Sequence, residues 1–148
     1  MPLCDYFSAT DDEAAVAAGS SPGEPERSAL DTVSLKGIDP VVTLARLEAI
    51  VTGRGYEEAG RPPRSGLLLS EADVDGPLVF SVSDTLVDAL TAASGDDLRR
   101  FARSWSATAE LRQNQVDAET AAGALEALAG LARRARSAGL RLYCRWSL

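Results

Sequence analysis

The strongest constraint in the chain is Asp117 to Gly139, which reads as one long amphipathic helix that stops on a glycine and hands over to a strand. Ala121, Ala124, Leu125, Leu128, Leu131, Ala132 and Ala135 recur at about the 3.6-residue helical period, so they share one face. Asp117 suits the N-cap, because its carboxylate accepts from the free amides of the first turn. Arg133, Arg134 and Arg136 fall in the last turns, where positive charge meets the negative end of the helix dipole. Gly139 is a natural stop just past the helix. Leu140 to Leu148 then reads as a strand. Its Tyr143, Cys144 and Trp146 need cover, so the strand is expected within a sheet with the helix lying on it.

The upstream elements follow from the same signals. Leu3 to Ala9 reads as a strand, led by Tyr6 and Phe7. Asp11, Asp12 and Glu13 open a short alanine-rich helix that ends at Gly19. Residues 20–28, rich in Ser, Pro, Gly and Glu, read as a flexible surface loop. Asp31 to Leu35 reads as a short strand or an extended lead-in. Asp39 at N-cap and Pro40 at N1 start a helix from Val41 to Thr52, closed by Gly53, whose apolar residues occupy more than one side. It is therefore expected to be largely buried. One helical turn is placed at Tyr56–Ala59, and short strands at Gly66–Leu69 and Pro77–Val82. Ser83 or Asp84 caps a helix carrying Leu86, Ala89, Leu90 and Ala93. Ser94 and Asp97 form a short-armed capping box for the next one, in which Trp105 is expected in the core. Ser106 to Val116 is polar and ambiguous. The expected fold is a single α+β domain over 1–148, a small mixed sheet covered by about four to five helices.

Composition removes several classes of function. The chain has 148 residues and no histidine, which excludes Ser-His-Asp and Cys-His catalysis and imidazole metal sites. Its two cysteines, Cys4 and Cys144, lie far apart in sequence, each in an expected strand, and form no zinc-type pair. They are read as buried reduced thiols. No cofactor is implied. The net charge is −7, and a nucleic-acid partner is not expected without a basic footprint. The imbalance sits in residues 1–60, with 11 acidic against 4 basic groups, whereas residues 111–148 hold 3 against 6. No apolar run approaches the ~18 residues of a membrane helix. The start of the chain lacks a basic region followed by an apolar one, so the expected compartment is the cytoplasm. Lys36 is the only lysine among 15 cationic residues, a bias that points to a GC-rich bacterial genome.

Four residues are the candidates for a ligand site: Asp5, Tyr6, Lys36 and Trp146. Asp5-Tyr6-Phe7 with Trp146 would line an aromatic pocket beside the sheet, against the simpler reading of strand packing. Lys36 precedes a capped helix and would hold an anion or, if desolvated, act as a base; a solvated surface lysine is the plainer reading. Ser34 and Lys36 share a face if they lie on a strand. Gly53-Arg54-Gly55 with Arg61 and Arg64 lacks the spacing of a phosphate loop. Asp73 with Asp75, and Asp84 with Asp88, lack calcium-loop spacing. No catalytic or metal residue is assigned.

Tyr6-Phe7-Ser8, the stretch Ile38-Asp39-Pro40 through Thr52-Gly53, the two helices across Ser83–Phe101 and the closing helix-then-strand from Leu125 to Trp146 together resemble the YfbM-like family of small uncharacterised bacterial proteins. The resemblance covers about two thirds of the chain. It implies an α+β fold and carries no activity. The chain differs in its alanine-rich first helix and its acidic loop.

The function expected from the sequence is non-catalytic capture of a basic protein partner, for instance by an immunity-type inhibitor that occludes a basic toxin. The alternative is a small-molecule binder or histidine-independent enzyme with a pocket near the N- and C-terminal strands.

Overall fold

Residues 3–20, 31–55, 65–70 and 77–147 are described by the structure, a computed structural model. In chain order they form β1 (Leu3–Ala9), α1 (Asp12–Ser20), β2 (Thr32–Lys36), α2 (Thr43–Thr52), β3 (Leu78–Ser81), α3 (Asp84–Ala92), α4 (Gly95–Ser106), α5 (Ala109–Gln113), α6 (Ala118–Ser137) and β4 (Arg141–Ser147). The four strands make one sheet in the order β2-β1-β4-β3. All three pairings are antiparallel. The expected α+β domain, with a long C-terminal helix and a closing strand, is what the chain forms. The sheet is antiparallel where a mixed one was expected, because β4 enters between β1 and β3 opposite in direction to both. Six helices are present among the described residues, the sixth being α5, drawn from the ambiguous stretch Ser106–Val116. Leu111, fully buried, is the apolar anchor of that short helix.

The pleat divides the strands between two cores. Side chains of successive strand residues point to opposite faces. One face presents Cys4, Tyr6, Leu142 and Cys144 to the main core, built with Leu47, Leu86, Leu90, Trp105, Leu125 and Leu131 from the helices. The other presents Phe7, Ala9, Val79 and Tyr143 to α1 in a smaller core around Ala15. Helix α1 can lie close because Gly19 has no side chain: a Cβ there would stand 2.6 Å from Val79 Cγ2. Phe7 and Tyr143, opposite one another on β1 and β4, bring their ring centroids to 5.9 Å.

Local chemistry sets the helix ends. Asp117 accepts from the Thr120 amide at 2.8 Å. At the far end of α6, Gly139 adopts φ 70°, the Leu140 amide donates to Ala135 O (2.8 Å) and the Gly139 amide to Arg136 O (3.1 Å), the paired bonds of a Schellman stop. Ser94 and Asp97 exchange the two bonds of a capping box, each 3.1 Å. Asp39 accepts from the amides of Val41 (2.9 Å) and Val42 (2.6 Å). The chain around Pro40–Val42 is a turn, and α2 proper begins at Thr43, two residues later than the proline signal implied. This helix buries Thr43, Leu44, Ala45, Leu47 and Glu48. The other five residues of α2, Ile50 and Val51 among them, are half-buried and none is exposed, so the helix is largely covered as expected, and only Val41, in the turn before it, is exposed. Trp105 is fully buried, and its indole N–H donates to Thr43 O at 3.0 Å. A large side chain buried this way contributes roughly 1.5–3 kcal/mol through apolar area alone.

The acidic loop beyond Ser20, the turn at Tyr56–Ala59 and the pair Asp73/Asp75 fall outside the described residues; Ser20 itself ends α1. No described helix is long and apolar enough to cross a membrane.

Candidate functional site

The register separates the four sequence candidates. Asp5 pairs with Arg145 and Ser34, and Lys36 pairs with Leu3, all on the face that α1 covers in part. Tyr6 pairs with Cys144, and Trp146 with Cys4, on the opposite face. One pocket holding all four would have to pass through the sheet. Tyr6 is fully buried and its hydroxyl donates to Ile38 O at 2.6 Å, tying β1 to the loop before α2. Burial, reinforced by the neighbouring Cys144 and Cys4 thiols, pushes its phenol well above the ordinary range. Trp146 is half-buried against Phe80, with ring centroids 5.6 Å apart. Lys36 is exposed. Asp5 is buried and accepts from the Ser34 hydroxyl at 2.6 Å. The expectation that Ser34 and Lys36 share a face agrees with this register.

The two cysteines are free, buried and diagonal to one another across β1 and β4. Burial, then contact with Cys4, pushes the Cys144 thiol up, and a thiol so placed is a poor nucleophile. Asp84 opens α3, and Asp88, one turn further in, is exposed and forms an ion pair with Arg136. No cluster of three acidic or cysteine side chains able to hold a metal is found among the described residues. Arg54 is exposed, while Arg61 and Arg64 lie outside the described residues.

Two features were not singled out in the sequence. Glu48 is 1% exposed on the inner side of α2. Neither of its carboxyl oxygens closes a hydrogen bond of good geometry. Burial raises its pKa above the ordinary 4.5, opposed by the Ser83 hydroxyl at the start of α3 and then by Arg54.

The second feature is the sheet edge beyond β3. Residues 65–70 run along that strand: the Leu69 amide donates to Val79 O (2.8 Å) and the Ser81 amide to Leu67 O (2.9 Å), with Leu68 opposite Phe80. Leu67 is 45% exposed, Leu68 37% and Val41 40%; these are the exposed large apolar side chains among the described residues. They are neighbours, since a Cβ on Gly66 would stand 3.0 Å from Pro40 O and 3.1 Å from Val41 Cα. On the α1 side, Leu69 with Val16, Ala17, Asp12 and Glu13 borders an apolar groove of about 470 Å³. Asp12 accepts from the Tyr143 hydroxyl at 2.8 Å, and Glu13 is exposed. The edge thus has an apolar centre and an acidic border.

Comparison with protein-family models, with curated proteins and with solved structures gives no match to the chain.

Proposed function

We propose that the protein is a non-catalytic, acidic partner-binding protein that captures a basic protein, an immunity-type inhibitor being one concrete form. The observation that carries this reading is the gathering of Val41, Leu67 and Leu68 on one sheet edge beside a groove rimmed by Asp12 and Glu13. Contiguous exposed apolar area with a charged border is the anatomy of a protein interface. The net charge of −7 adds long-range attraction for a basic partner, which speeds encounter and weakens with salt. Kinship with the YfbM-like proteins belongs to the same proposal; it rests on the Tyr6-Phe7-Ser8 and Ile38–Gly53 stretches and supplies no activity.

The test is a pull-down from bacterial extract with the purified protein, at low and at physiological salt. A basic partner is expected at both, in larger yield at low salt, and lost from a Leu67→Glu, Leu68→Glu double variant. Recovery of no partner at either salt would refute the reading.

A further inference from the structure

We propose that the edge at Leu67–Leu69 takes its partner by strand addition, receiving an extended segment in which apolar residues alternate with Arg or Lys. This rests on the partner-binding reading and adds the mode of binding and the chemistry of the bound segment. Leu67 O and the Leu69 amide bond to β3, so antiparallel geometry turns the N–H and C=O of Leu68, between them, away from β3, toward a side on which no further strand is paired among the described residues. An extended segment laid there continues the ladder through those two groups.

The pleat then dictates the alternation. Leu69 pairs with Val79 and faces the α1 groove, whereas Leu68 stands opposite Phe80 and faces the other way. On the Leu68 side, next to Val41, the added strand meets exposed apolar surface. On the groove side it meets Val16 and Ala17 with Asp12 and Glu13 at the rim. A long cationic side chain fits this floor and rim: its methylenes cover the apolar residues while its charged end reaches the carboxylates. An acidic side chain there is repelled by the rim carboxylates, and a purely apolar one gains no charge attraction from them. Because one residue offers only two main-chain bonds, the apolar and charged contacts must supply much of the affinity, and binding should fall with salt.

The experiment is a titration of the isotope-labelled full chain with an acetylated, amidated Val-Arg-Val-Arg-Val peptide, followed by amide shifts and hydrogen exchange. Shifts are expected at Leu67–Leu69 and along Asp12–Ala17, with slowed exchange of the Leu68 amide. Binding should be lost when Glu replaces Arg in the peptide and when its central amides are N-methylated. It should also be lost in Leu68→Pro, a variant that removes an N–H not used by β3 and whose fold is checked by circular dichroism. Edge shifts that survive N-methylation and leave Leu68 exchange unchanged would overturn strand addition. Shifts confined to other acidic helix starts, such as Asp96 or Glu119, would overturn this edge as the site while leaving partner binding intact. No shift at any residue would overturn the inference too, and the pull-down then judges the wider reading by itself.

Discussion

Glu48 sits buried on α2, where its charged form is disfavoured. A carboxyl group removed from water favours its neutral form unless hydrogen bonds or cations compensate, and here Ser83 and Arg54 compensate only in part. The folded state therefore holds the Glu48 proton more tightly than the unfolded chain does. Where the native state binds more protons, stability falls as pH rises. The contribution is fully present below the ordinary value near 4.5 and is lost as pH climbs through the raised native value. Glu48→Gln keeps the shape and removes the titration. The variant should match the wild type in acid and become the more stable of the two toward neutral pH, as read by urea midpoints across a pH series. Equal midpoints at every pH would mean that the carboxylate finds compensation in the folded protein. Nothing in the sequence marked Glu48 as buried. It sits among Leu44, Leu47 and Val51 on a helix whose apolar residues wrap more than one side, so the boundary of the buried face was not legible. Tyr6 and Trp146 were legible as strand aromatics, but which face each served depended on the register with β4, a pairing across the whole chain.

At the scale of elements, the helix stops and starts were the most readable part because each depends on neighbours within four residues. Asp117, Ser94 with Asp97, and Gly139 all act as their local chemistry implies. Gly139 offers a clean measure of that chemistry. No atom lies within 4 Å of the site a Cβ would take, so Gly139→Ala meets no clash and pays only for placing a side chain at φ 70°. The left-handed conformation costs an L-residue about 1–2 kcal/mol, and the loss in urea denaturation should fall in that range. A loss well above it would show that the turn into β4 resists any adjustment. Sheet edges were less readable. Gly66–Leu69 was placed as a short strand, and it does pair with β3, yet Leu67-Leu68-Leu69 as a run of three leucines gives no alternation to say which faces water. The ladder bonds decide it, and they put two of the three leucines at the surface.

For the whole molecule, the decisive fact is that the last described strand is an inner one. β4 hydrogen-bonds to β1 on one side and to β3 on the other, so the first strand of the chain is completed only by the last. Leu142, Tyr143, Cys144 and Arg145 are all buried, and they belong to both faces of the sheet, so β4 stitches the main core to the smaller core under α1. The sequence pointed to a covered terminal strand because Tyr143, Cys144 and Trp146 need shelter. Strand order was beyond it, because order is set by pairings between strands far apart in the chain, such as Leu3–Ala9 with Arg141–Ser147. Removing residues 140–148 would leave β1 and β3 with unpaired inner edges and open both cores at once. Long-range pairing of this kind gives no partial credit: the loop closure is unfavourable until both ladders form. The truncated chain should therefore lose cooperative unfolding altogether, measured as the absence of a thermal transition in circular dichroism and collapse of amide shift dispersion. Supplying a synthetic peptide of residues 140–148 should restore part of that dispersion, because the missing strand has two waiting partners. A truncated chain that melts cooperatively would instead place the organising core in the helices α3, α4 and α6 alone.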